Sequence, residues 1–152
     1  MNPKRILEVD DEPNGTRNLK QRILVVDDEP SVTRNLKLNL EYGGRYEVLG
    51  ENKPSSALAA ARAFRPDLIL MDVMMPGLDG GDVATGLRAD PLLRDTPILF
   101  LTAIVTNEET GGHEKISGGE VFLAKPVDIA ELKKTLEQHL GSGPTPTARY
   151  RG

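Results

Sequence analysis

The chain has 152 residues, 19 of them basic and 23 acidic, for a net charge of −4. That length holds one ordinary domain, and the balance leaves no basic stripe for neutralising nucleic-acid phosphates, so direct nucleic-acid binding is not expected. There is no cysteine, which excludes disulfides, thiolate metal sites and a cysteine nucleophile. No apolar run approaches the roughly 20 residues that span a bilayer. Glu8, Asp10 and Asp11 enter almost at once, which is unlike a secretory signal. The expected setting is cytoplasmic, away from membranes.

The chain opens on a short tandem repeat. Residues 4–20 read KRILEVDDEPNGTRNLK and residues 21–37 read QRILVVDDEPSVTRNLK, identical at 13 of 17 positions. One domain has room for one of them as its first strand. In the second copy the run Ile23, Leu24, Val25, Val26 is apolar throughout, as a strand buried on both faces requires. The first copy has Glu8 where the second has Val25, and an unpaired buried carboxylate costs several kcal/mol, on the order of other buried charges. It also has Gly15 in place of Val32, which weakens the following helix by roughly 1 kcal/mol. The second copy is therefore the expected strand. Residues 1–20 become an extra segment that is disordered, laid along the surface, or exchanged with a second molecule; Glu8 disfavours the last of these.

From residue 21 short apolar runs alternate with amphipathic stretches. Strands are predicted at 22–26, 46–50, 68–71, 98–101 and 121–123. Helices are predicted at 31–40, 55–64, 80–89, 107–116 and 129–140, from apolar residues at three- and four-residue spacing. Pro30 suits the first turn of its helix, and Asp128 is a good N-cap for the last. Residues 74–79 carry a Pro-Gly turn signal. The pairs Gly111-Gly112 and Gly118-Gly119 are expected to keep the helix at 107–116 short. The domain is taken as 21–141, followed by a Gly-, Pro- and Thr-rich tail, 142–152, with no output domain for binding DNA.

Strict alternation of strand and helix means an α/β fold with a parallel sheet and helices on both faces. In such sheets ligands bind outside the carboxyl ends of the strands. The first strand ends in Asp27 and Asp28 and the third in Asp72. The fourth ends in Thr102, and Lys125 and Pro126 follow the fifth. Singly each has an ordinary reading: an acidic helix start, a loop-capping carboxylate, a strand threonine, a surface lysine. Together they place three carboxylates, a hydroxyl and an ammonium at one edge. Crowded carboxylates repel one another unless a cation intervenes, and Mg²⁺ suits a site with few protein oxygens and several waters. With that charge compensated, a phosphoryl group on an aspartate becomes tolerable. His113 and His139 have no such company and carry no phosphohistidine expectation.

The segments ILVVDDEP, DLILMDVMMPGLDG, ILFLTA and FLAKP, in that order, resemble the receiver domain of two-component response regulators, chemotaxis regulators among them. The resemblance runs from about residue 21 to 140. It implies a flavodoxin-like, doubly wound sheet of five parallel strands in the order 2-1-3-4-5. It also implies Asp72 as phosphoacceptor and Asp27, Asp28, Asp72 and the backbone carbonyl of Met74 as Mg²⁺ ligands. Thr102 and Lys125 would bind the phosphoryl group, Phe122 would be the switch aromatic, and Pro126 would follow a cis bond.

The implied function is phospho-signalling rather than enzymology on external substrates, beyond the domain's own phosphorylation and dephosphorylation. A sensor histidine kinase or phosphotransfer protein would be the donor. A downstream effector protein would read the surface formed by 107–116, the fifth strand and the last helix. Whether the chain works alone or as the receiver portion of a longer regulator stays open. A haloacid-dehalogenase-type phosphohydrolase also uses an aspartate nucleophile, but it needs a second Asp two residues later, where this chain has Met74. Met74 and Ile104, two residues beyond Asp72 and Thr102, are both apolar. Neither can orient an attacking water, so slow loss of the phosphoryl group is expected.

Overall fold

The computed structural model of the chain describes residues 20–75, 78–103, 114–117 and 120–141. Residues 4–19 of the repeat's first copy, Pro76-Gly77, Ile104, Gly111-Gly112, His113, Gly118-Gly119, most of the expected 107–116 helix and the tail lie outside the described residues. The elements in chain order are β1 (Gln21–Val26), α1 (Pro30–Glu41), β2 (Tyr46–Glu51), a 3₁₀ turn (Pro54–Ser56), α2 (Ala57–Phe64) and β3 (Leu68–Asp72). There follow β4 (Met74–Met75), β5 (Leu78–Asp79), α3 (Gly80–Arg88), β6 (Ile98–Thr102), β7 (Glu114–Ser117), β8 (Glu120–Ala124) and α4 (Ile129–Leu140).

Five strands pair in parallel in the order β2-β1-β3-β6-β8, the doubly wound order expected of the alternating pattern. β1, β3 and β6 are interior strands and are apolar along almost their whole length. Every residue of β3 and β6 is buried, because helices cover both faces. β2, at the edge, alternates buried and exposed over its first four residues. Side-chain alternation splits the core in two. Ile23, Val25, Leu68, Leu70, Leu99 and Leu101 meet α1 and α4 on one face. Leu24, Val26, Ile69, Met71, Ile98 and Phe100 meet α2 and α3 on the other.

Helix ends follow local chemistry. Pro30 opens α1, Asp128 caps α4 by accepting from the N–H groups of Ala130 and Glu131, and Asp79 caps α3 through the N–H of Gly81. The second helix begins later than its apolar spacing indicates, since Pro54 heads a tight 3₁₀ turn before the α-helix sets in. The Pro-Gly signal falls between β4 and β5, which pair antiparallel as Met74 with Asp79 and Met75 with Leu78.

One sequence expectation fails. Residues 114–116, predicted as the end of a helix, belong instead to β7, which pairs antiparallel with β8 from Glu114 with Leu123 to Ser117 with Glu120. The sheet therefore has a sixth strand. In sequence a glycine pair, Gly118-Gly119, stands between these two runs, and such a pair between two short runs is a hairpin signal. Helical spacing over so few residues does not outweigh it. β7 also pairs the edge that β8 would otherwise expose.

Val25 is fully buried in the α1/α4 face of the core, which is why Glu8 could not stand in for it. Val25→Glu is expected to lower the free energy of unfolding by about 3–5 kcal/mol, in the range for an unpaired buried charge. Urea denaturation would measure it.

Candidate functional site at the carboxyl edge of the sheet

The strand registers assemble the site. Val26 pairs with Met71, so the next residues, Asp27 and Asp72, leave adjacent strands side by side. Asp72 pairs with Leu101, and Thr102 with Ala124, so Thr102 and then Lys125 emerge at the same edge. Asp27, Asp72 and Thr102 are all buried, with Asp27 wholly inaccessible and Asp72 at 4% exposure. Oxygens from the carboxylates of Asp27, Asp28 and Asp72 lie within 4.8 Å of one another. That is a hard-oxygen donor set of the kind a divalent cation takes.

Lys125 answers this charge from the far side. Its Nζ donates to Asp27 Oδ2 at 2.9 Å and lies 3.6 Å from Asp72 Oδ1. Burial alone would depress the ammonium, but the hydrogen bond and charge of Asp27, with Asp72 and Glu29 behind it, outweigh burial and hold its pKa above the ordinary value. The backbone presents Lys125 from a fixed position, since its N–H donates to the Thr102 carbonyl at 2.9 Å. The Lys125–Pro126 bond is cis.

The Asp72 carboxyl is held above its ordinary pKa. Burial is the largest cause, followed by the charge of Asp27, with Asp28 adding to it. Lys125 and a hydrogen bond from the Met74 N–H, 3.3 Å from Oδ1, pull the other way. The Met74 side chain turns outward, 63% exposed. Gly80 closes the rear: a Cβ there would sit 2.3 Å from the Asp72 carbonyl, so only glycine admits so close a backbone approach.

Asp27, Asp28, Asp72 and Lys125 thus meet as one cluster. Thr102 sits at the same edge on the opposite pleat, in line with Phe100. Phe122 stacks on Phe100 with ring centroids 5.3 Å apart, against the α2/α3 side of the core. One neighbour escaped the sequence reading. Asn52, just past β2, donates from Nδ2 to the Asp27 carbonyl at 2.8 Å and to Thr33 Oγ1 at 3.0 Å. A polar residue directly after a strand on the ligand-binding edge was the available signal.

Residues 23–137 match the family model described as the response regulator receiver domain. Among curated proteins, the chain is 35% identical over 98 residues to the polar-differentiation response regulator DivK of Brucella anthropi, covering 63% of this chain and 77% of that protein. It is 43% identical over 129 residues to the response regulator PleD of Caulobacter vibrioides, covering 84% of this chain but only 24% of PleD. The chain thus spans about a quarter of that relative's length. Among solved structures, the chemotaxis response regulator CheY4 of Vibrio cholerae superposes with a TM-score of 0.66 at 33% identity, covering 80% of this chain and 99% of that one.

The raised pKa of Asp72 has a consequence for stability. A carboxylate whose proton is held more tightly in the folded state favours folding below its ordinary pKa, and that contribution is lost as pH rises through the folded-state value. At neutral pH the charged group therefore works against the fold. Asp72→Asn is expected to melt at a higher temperature than the wild type near pH 7 without divalent cations. The gap should close as pH falls into the ordinary carboxylate range; thermal melts across pH would show it.

Proposed function

The chain belongs to the response-regulator receiver family and serves two-component phosphorelay signalling, and on that premise we propose that Asp72 is its phosphoacceptor. The observation that carries this reading is a buried aspartate within 4.8 Å of two further carboxylates and 3.6 Å from an ammonium. Asp27, Asp28 and Asp72, with the Met74 carbonyl, would hold Mg²⁺. When bound, the cation supplies charge compensation for phosphoryl oxygens and orients them. The donor is a phosphohistidine on a sensor kinase or phosphotransfer protein. An Asp72 oxygen forms the new P–O bond as the donor's P–N bond breaks, and the imidazole nitrogen departs with the electron pair. Lys125, already held between Asp27 and Asp72, neutralises an oxygen of the transferred group, and the Thr102 hydroxyl donates to another.

Readout follows from the pleat. Thr102 and Phe100 share one face of β6, and Phe122 is the register partner of Phe100 on β8. A pull on Thr102 is felt by that stacked pair on the α2/α3 side of the sheet, which changes the surface at β8 that an effector protein reads. This is a two-state shift driven by local charge. Among the described residues, no helix is long and apolar enough to cross a membrane.

Incubation with Mg²⁺ and a small acyl-phosphate donor tests the assignment. Mass measurement should show a gain of about 80 Da, one phosphoryl group, in the wild type and none in Asp72→Asn. A gain in both would remove Asp72 from the role.

Loss of the phosphoryl group should be slow. Met74 carries only a thioether, too weak an acceptor to position a water, and Ile104, though outside the described residues, carries no polar group at all. The double substitution Met74→Glu with Ile104→Asn is expected to speed phosphate release about tenfold, short of the roughly hundredfold that a fully positioned base contributes at the least. Release from pre-phosphorylated protein after removal of the donor is the measurement.

A further inference from the structure

We infer that Asn52 is a positioning residue for the acidic site, fixing the peptide unit that carries Asp28 so that the Asp27 and Asp28 carboxylates converge on a cation. This rests on the metal reading above. The Asp27–Asp28 peptide is the pivot: its carbonyl oxygen belongs to Asp27 and its nitrogen to Asp28. Turning that plane swings Asp28 away from Asp27 and Asp72. The backbone N–H of Asp27 donates to the Glu51 carbonyl at 3.1 Å, and the Asn52 amide grips the Asp27 carbonyl at 2.8 Å. β2 thus holds both sides of Asp27.

The Asn52 amide is itself held. Its second bond goes to Thr33 Oγ1 at 3.0 Å, and that hydroxyl donates onward to the Pro30 carbonyl at 3.1 Å. Thr33 is buried in α1 and packs against Gly50 so closely that a Cβ on Gly50 would lie 2.8 Å from the Thr33 Cβ. The glycine lets helix and strand approach, the threonine orients the amide, and the amide locks the turn. Through this chain one side chain ties together the end of β1, the start of α1 and the loop after β2. Asn52 touches neither the cluster's carboxylates nor Lys125 in any bond described above, so its action is on geometry. Supporting groups of this kind commonly govern metal affinity by tenfold or more.

The test is calorimetric titration with magnesium chloride at pH 7, alongside thermal melts without cation. Asn52→Ala is expected to weaken Mg²⁺ binding by about tenfold or more. Asp90→Ala serves as the stability control. Asp90 pairs with Arg62 and accepts from the Leu92 N–H beyond α3, at the opposite edge of the sheet. It should lower the melting temperature and leave Mg²⁺ affinity alone. Thr33→Val, which removes the hydroxyl that orients the amide, should weaken binding in the same direction but less, and it carries the test if Asn52→Ala does not fold. Affinity within twofold of wild type in Asn52→Ala, or in Thr33→Val where it stands in, overturns the proposal. So does a loss of affinity in Asp90→Ala matching that in Asn52→Ala. Absence of Mg²⁺ uptake by the wild type, with Asp28→Asn no different, overturns the metal reading itself and the proposal with it.

Discussion

The contact between the Lys125 ammonium and the Asp27 carboxylate holds the carboxyl edge of this sheet together. Three acidic side chains leave neighbouring strands within a few ångströms of one another, two of them buried. Uncompensated, that arrangement would be driven apart or neutralised. The lysine meets the most deeply buried of the three at 2.9 Å and stands 3.6 Å from Asp72. It is a partial answer, since burial first and the charge of Asp27 next still hold the Asp72 pKa above its ordinary value. The residual excess of negative charge is the property on which the proposed cation binding would depend.

The sheet divides the labour between its two faces. Asp27, Asp72 and Lys125 continue the pleat that packs α1 and α4 lower down. Thr102, Phe100 and Phe122 continue the pleat that packs α2 and α3. The two sides meet at the strand ends, where Lys125 donates its N–H to the Thr102 carbonyl. Below that edge, β3 and β6 are buried on both faces and too tightly packed to yield by small degrees.

Much of this was legible in the residues because the constraints are local or repetitive. Val25 against Glu8 decided which copy of the repeat becomes β1, since a fully buried strand tolerates no lone charge. Apolar runs marked the parallel strands, and once they were placed, Asp27, Asp72, Thr102 and Lys125 had to gather at one edge. β7 was missed for a physical reason: a four-residue strand at a sheet edge gains its stability from its neighbour β8, and neither its length nor its composition declares it. Asn52 was missed because its role lies in whom it bonds. Nothing in an asparagine after a strand names Asp27, 25 residues earlier, as its acceptor. The delayed start of α2 reflects Pro54, whose fixed φ suits a tight turn as readily as a first α-turn.

The first strand and the last helix are fastened to each other at the pole farthest from the carboxylates. The Gln21 side chain donates to the Leu140 carbonyl at 3.1 Å, and Arg45 bonds both Glu137 and the carbonyl of Gly141. Gln21 and Gly141 therefore share one corner, separated from Asp27 by the length of β1, about 20 Å. A polypeptide grafted at that corner would stand clear of the carboxylates. Any influence between a module joined there and the carboxylates would have to cross the packed interior or run around a flank.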